Sequence, residues 1–125
     1  MLAAVTWRQL CALAAKLPEV TVDTWYRTPA LKVRGKGFVR LWEDGHTCVF
    51  VVTSLDEKDA LLATKPKLYF TTDHYNGHAS VLVDLRALGA KDARERLASG
   101  WSAAAPATLL RARPRPFRSS SPRRS

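Results

Sequence analysis

The stretch Tyr69-Phe70-Thr71-Thr72-Asp73-His74-Tyr75-Asn76-Gly77-His78, followed by Ala79-Ser80-Val81-Leu82-Val83, constrains the fold more than any other part of this chain. Apolar residues flank a short polar segment, the pattern of a strand, a tight turn and a returning strand. Asn76-Gly77 tolerates the positive φ angles of a hairpin turn. Asp73 and Asn76 carry side chains able to bond their own backbone and fix the bend. On the returning strand Ala79, Val81, Val83 and Leu85 alternate inward. Such a ribbon must bury its apolar face against another layer.

The flanking sequence supplies that layer. Thr6-Trp7-Arg8-Gln9 reads as a capping box opening a helix that runs to about Leu17, where Pro18 blocks continuation. Ser54-Leu55-Asp56-Glu57 reads as a second capping box, with acids where a helix N-terminus favours them, for a short helix ending near Ala63. A third helix, about Lys91 to Ala104, carries Leu97 and Trp101 at helical spacing and ends as Ala105-Pro106 arrives.

Between the first two helices lies a second ribbon. Ala30 to Arg34 and Phe38 to Trp42 form its strands around Gly35-Lys36-Gly37, and Thr47 to Val52 adds a third strand rich in β-branched residues. A three-residue loop with Gly37 left-handed pairs Val33 with Val39, Leu31 with Leu41 and Lys32 with Arg40. That register separates core from solvent, setting Lys32, Arg34, Phe38, Arg40 and Trp42 on the outer side. The expected architecture is a single α+β domain over residues 1–110, ordered α-β-β-β-α-β-β-α, with a mostly antiparallel sheet.

The run Phe-Thr-Thr-Asp-His-Tyr-x-Gly before an apolar strand resembles the MmcQ/YjbR family of small bacterial proteins. Leu17-Pro18-Glu19-Val20, Thr28-Pro29-Ala30-Leu31-Lys32-Val33-Arg34-Gly35-Lys36, Trp101 and Ala105-Pro106 extend the likeness over about residues 5 to 110. The resemblance implies a compact α+β fold whose two hairpins project as wings, and DNA binding as the function. It carries no agreed catalytic residues and no cofactor. The chain departs from the family pattern at Lys65 and Lys67, where members often carry acids, and at Ala107-Thr108, where they tend to be basic.

Charge is distributed unevenly. Twenty Lys and Arg residues stand against eleven Asp and Glu, a net charge of +9. Six of the arginines and none of the acids fall in residues 111–125, leaving the body at +3. That tail mixes arginine with proline and serine, cannot bury enough surface to fold, and is expected to be disordered. The body is only mildly basic, so overall charge is no argument that it binds nucleic acid. Cys11 and Cys48 lie in apolar segments and read as reduced core thiols. No apolar run reaches the roughly 18 residues of a membrane span, and the first residues lack a secretory pattern. A soluble cytoplasmic protein is expected, monomeric in the simplest case.

Two surfaces carry candidate chemistry. On the first ribbon Lys32, Arg34, Lys36 and Arg40 interleave with Phe38 and Trp42, cations for phosphate and rings for stacking bases. On the second, His74, Tyr75 and Asn76 sit at the turn. These seven residues are the expected DNA contacts, assisted by the tail. Asp73, His74, Tyr75 and His78 also admit a small-molecule or enzymatic reading, histidine beside a carboxylate being a potential base; a pocket converging on them would favour it. A protein-interaction module is the third reading, favoured by an apolar patch near Trp25 or Trp42. His46, Cys48, His74 and His78 lack the tight spacing of a zinc site, so no metal is expected. No phosphate loop or nucleophile elbow occurs.

Overall fold

The computed structural model describes residues 5–112, with side chains through residue 110. Thr6 caps α1, Trp7–Ala14, in a complete capping box: its Oγ accepts from the Gln9 N–H and the Gln9 side chain accepts from the Thr6 N–H. Strands β1 (Val20–Trp25), β2 (Thr28–Val33), β3 (Lys36–Leu41) and β4 (Thr47–Val51) follow. Ser54 caps α2, Leu55–Thr64, accepting from the Glu57 N–H. The Glu57 carboxylate turns away from that cap and bonds Thr53 instead. Short β5 (Tyr69–Phe70), β6 (Ser80–Asp84), α3 (Ala90–Ala104) and α4 (Ala107–Ala112) follow within the described residues. Residues 113–125, which hold most of the expected disordered tail, lie outside the described residues.

The six strands form one sheet in the order β1-β2-β3-β4-β6-β5, every neighbouring pair antiparallel. Helix α3 lies on β3 and β4, and α1 packs against α3. Leu31, Val39, Phe50, Val81, Val83, Leu97 and Trp101 are buried in the core between sheet and helices. The Trp101 indole reaches through it to donate to the Pro18 carbonyl at 2.9 Å. Gly100 is where α3 meets the sheet: a Cβ there would sit 3.0 Å from the Val51 carbonyl oxygen.

Three local expectations are corrected. First, β1 is an additional edge strand, joined to β2 by a two-residue turn at Tyr26-Arg27. Second, the β2–β3 turn is Arg34-Gly35, with φ of 48° and 82°. It pairs Val33 with Lys36 and Lys32 with Gly37 rather than with Arg40. A bulge then shifts the register, so that Leu31 meets Val39 and Ala30 meets Arg40. The extra residue is Phe38, which the bulge turns inward beside Val39; both are fully buried. Burying that ring outweighs the regular alternation which had placed it outside.

Third, the signature segment is not a simple projecting hairpin. Its strands pair only at Tyr69–Val83 and Phe70–Leu82. The connection includes a helical turn of the 3₁₀ type at Asp73–Tyr75 and a bend in which His78 N–H donates to the Tyr75 carbonyl. Only Gly77 has positive φ, while Asn76 stays at −59°. Neither Asp73 nor Asn76 fixes the bend with its side chain. Lys58 of α2 does so, its Nζ donating to the carbonyls of Tyr75 at 2.6 Å and His78 at 2.9 Å.

Candidate functional site

Side chains alternate across a pleated sheet, so the face opposite α3 presents Arg40 of β3 and Val49 and Val51 of β4. Two turns rise beside this floor. On one side the end of β1 and its turn bring Trp25 and Tyr26, rings stacked at 5.9 Å. On the other the signature segment brings His74, Tyr75 and His78. Together with Ala79 and Ser80 they enclose a cleft of about 630 Å³. That volume lies in the range of small-molecule sites, roughly 300–1,000 Å³.

Each wall is held in place by a specific device. Trp25 lies flat on Gly37, where a Cβ would come within 2.5 Å of the indole, so only glycine admits the ring at that distance. Tyr26 and Arg27 both adopt positive φ, 56° and 68°, without being glycine or asparagine. Backbone strain of this kind costs about 1–3 kcal/mol per residue and concentrates at functional sites. It leaves Tyr26 standing out of the sheet, 74% exposed at the cleft rim. On the far wall Lys58, only 4% exposed, fixes the carbonyls on either side of Asn76-Gly77. Tyr75 stacks on Trp42 at 6.5 Å and meets His74 edge-on at 5.1 Å.

Arg40 joins the two walls. Its Nε donates to the Trp25 carbonyl at 3.3 Å and its Nη1 to the Tyr75 hydroxyl at 3.2 Å. The guanidinium carbon also lies 5.4 Å from the centre of the Tyr26 ring, within cation–π range. Arg40 is half-buried, and among the described residues no carboxylate pairs with it.

The expected DNA contacts therefore divide into separate environments. Lys32 pairs with Asp23 at 3.5 Å. Arg34 forms a two-pronged pair with Glu19 at 2.7 and 2.9 Å, which lowers the carboxyl of Glu19 below its usual range. Lys36 is exposed at the ribbon tip, without an ion pair among the described residues. Arg40, His74 and Tyr75 converge on the cleft, and Asn76 lies exposed on its turn. The continuous basic-aromatic face is thus broken: Asp23 and Glu19 sit among its cations, and Phe38 is in the core. Lys65 too is engaged, 2.6 Å from Asp92.

Sequence reasoning named Trp25 only as the neighbourhood of an apolar interaction patch, and it missed the cleft role of Trp25 together with Tyr26, Lys58, Val49 and Val51. Trp25 and Tyr26 escape because their hairpin has no Gly, Asn or Asp at its turn. Lys58 has no sequence signal at all. Cys48 is fully buried on the core side, where desolvation raises its thiol pKa, and Cys11 is half-buried; both are free. Among the described residues no cluster of His, Cys, Asp and Glu is placed to hold a metal, and no helix is long and apolar enough to cross a membrane.

The YjbR family model matches residues 15–103. That span holds every cleft-lining residue. Over 55 residues the chain is 40% identical to "Uncharacterized protein Rv2570" of Mycobacterium tuberculosis and, equally, to "Uncharacterized protein Mb2600" of Mycobacterium bovis. Each match covers 44% of this chain and 43% of the relative.

Proposed function

The chain belongs to the YjbR family, and we propose that it works as a small-molecule-binding protein whose site is the cleft between the Trp25-Tyr26 and His74–His78 turns. The observation that carries this reading is the convergence of both walls on Arg40, which bonds to each of them. Flat aromatic walls, an aliphatic floor and a few convergent polar groups are the usual make-up of such sites. Nothing in the cleft pairs a nucleophile with an oriented base, so the reading is binding rather than catalysis.

The test is an amide-resolved NMR titration with a set of small neutral aromatic fragments. Shifts confined to residues 25–26, 40, 49–51 and 74–80 support the reading. Shifts scattered over the surface, or none at millimolar fragment, refute it.

A second reading, DNA binding, is favoured by one observation: six arginines and no acid in residues 111–125. Six arginines in one stretch attach to nucleic acid mainly through counterion release, with exposed Lys36 at the ribbon tip as a further cation of the body. Comparing the full chain with residues 1–110 across salt concentrations tests it. Loss of affinity and of the salt slope on truncation assigns binding to the arm. Undiminished binding by the truncated chain assigns it to the body and revives the wings as the contact surface.

A further inference from the structure

We infer that the cleft's ligand is a planar aromatic monocarboxylate whose acid group pairs with Arg40; this rests on the small-molecule reading above. Arg40 is the only Lys or Arg among the residues lining the cleft. Lys32, Arg34 and Arg86 are each matched by a carboxylate of the chain itself, whereas Arg40 bonds only neutral oxygens. Those two bonds occupy Nε and one Nη1 hydrogen. Both Nη2 hydrogens and the second on Nη1 are left without a protein acceptor. A guanidinium fixed on two sides and half-buried beside aromatic rings is a ready partner for a planar anion. Its charge is poorly screened there, and the hydrogen bonds it still offers are of the strong charge-assisted kind.

The rest of the lining sets the ligand's other features. No Asp or Glu lines the cleft itself; Glu43 and Asp44 line the adjoining hollow that shares Arg40, His74 and Tyr75. Trp25 and Tyr26 on one side and Tyr75 on the other present ring faces and edges, which favour a flat ligand between them. Val49 and Val51 close the floor with apolar surface, which rejects charge on the ligand's far end. One guanidinium, with no lysine and no α-helix among the lining elements, suits a single negative charge. A phosphate monoester calls for more donors than this.

The experiment compares naphthalene-2-carboxylate with naphthalene-2-carboxamide, equal in shape and different in charge, by NMR titration of the full chain. The carboxylate should bind about tenfold more tightly than the amide, a difference of about 1.4 kcal/mol. Arg40→Met should abolish that preference, and Arg40→Lys should retain part of it. Equal binding of the two probes by the unaltered chain leaves the cleft reading standing and overturns the carboxylate assignment, whatever the fate of the variants. A preference that survives in Arg40→Met overturns it as well. Failure of both probes to move the resonances of Trp25 and Ala79 removes the cleft reading and this inference together.

Discussion

Replacing Lys58 with methionine removes a side chain of α2 that ties down the signature bend by hydrogen bonds. Its Nζ donates to two carbonyls, at 2.6 and 2.9 Å, from a side chain 4% exposed. Hydrogen bonds from a charged donor contribute about 1.5–3 kcal/mol each, so the pair amounts to about 3–6 kcal/mol before offsets. Two offsets apply. Burial disfavours the ammonium and lowers its pKa below that of an ordinary lysine. In the variant, water can reach the carbonyl of exposed His78. Methionine keeps the apolar stem packed. The net cost should be about 2 kcal/mol, seen in urea as a midpoint lowered by roughly 1.3 M at an m value of about 1.5 kcal/mol/M. Amide exchange should quicken selectively at residues 75–80, and the affinity for aromatic ligands should fall with it, since Tyr75 and His78 form one wall of the cleft. A loss below about 0.5 kcal/mol with unchanged exchange in that segment would refute the role given to Lys58.

Three further outcomes follow from the same geometry. Gly37→Ala places a Cβ against the Trp25 indole, so the ring must move; tryptophan fluorescence should shift to the red at a cost of about 1–3 kcal/mol, as for other overpacked sites. Arg27→Gly relieves a positive φ of 68°, and should stabilise by about 0.5 kcal/mol in urea once glycine's extra chain entropy is subtracted. Burial pushes the Glu57 carboxyl up, but hydrogen bonds from Thr53, Ser99 and Arg96 outweigh it and hold the pKa at about 2. Because the folded value lies below the unfolded one, the stabilisation is complete above about pH 4.5 and disappears as pH falls toward 2. Glu57→Gln should therefore be less stable than the parent at pH 7, by about 1–2 kcal/mol after allowance for solvent screening, and should converge with it near pH 2 in urea titrations.

How much of this was legible in the sequence depends on how local each signal is. Thr6 and Ser54 mark helix starts through hydrogen bonds made within a few residues, and both caps form. The α3 helix, with Leu97 and Trp101 turned inward, follows from periodicity alone. The β1–β2 hairpin was hidden because Tyr26-Arg27 lacks the residues that make positive φ inexpensive; tertiary packing holds the turn. The β2–β3 register went astray because the bulge at Phe38 places two consecutive apolar side chains on one face, which strict alternation forbids. The site shows the same division. His74 and Tyr75 were visible as chemistry-bearing residues of a polar turn, but their partner Arg40 lies 35 positions away from Tyr75 in the chain. Asp23 and Glu19, which neutralise Lys32 and Arg34, belong to or adjoin the strand that was missed.

Locating a bound aromatic acid through intermolecular nuclear Overhauser effects decides whether the working surface is the cleft or the Lys32–Lys36 end of the first ribbon. The ligand's ring protons should contact Trp25, Tyr26 and the Val51 methyls. Contacts to Lys32 or Lys36, with none in the cleft, would contradict the cleft reading.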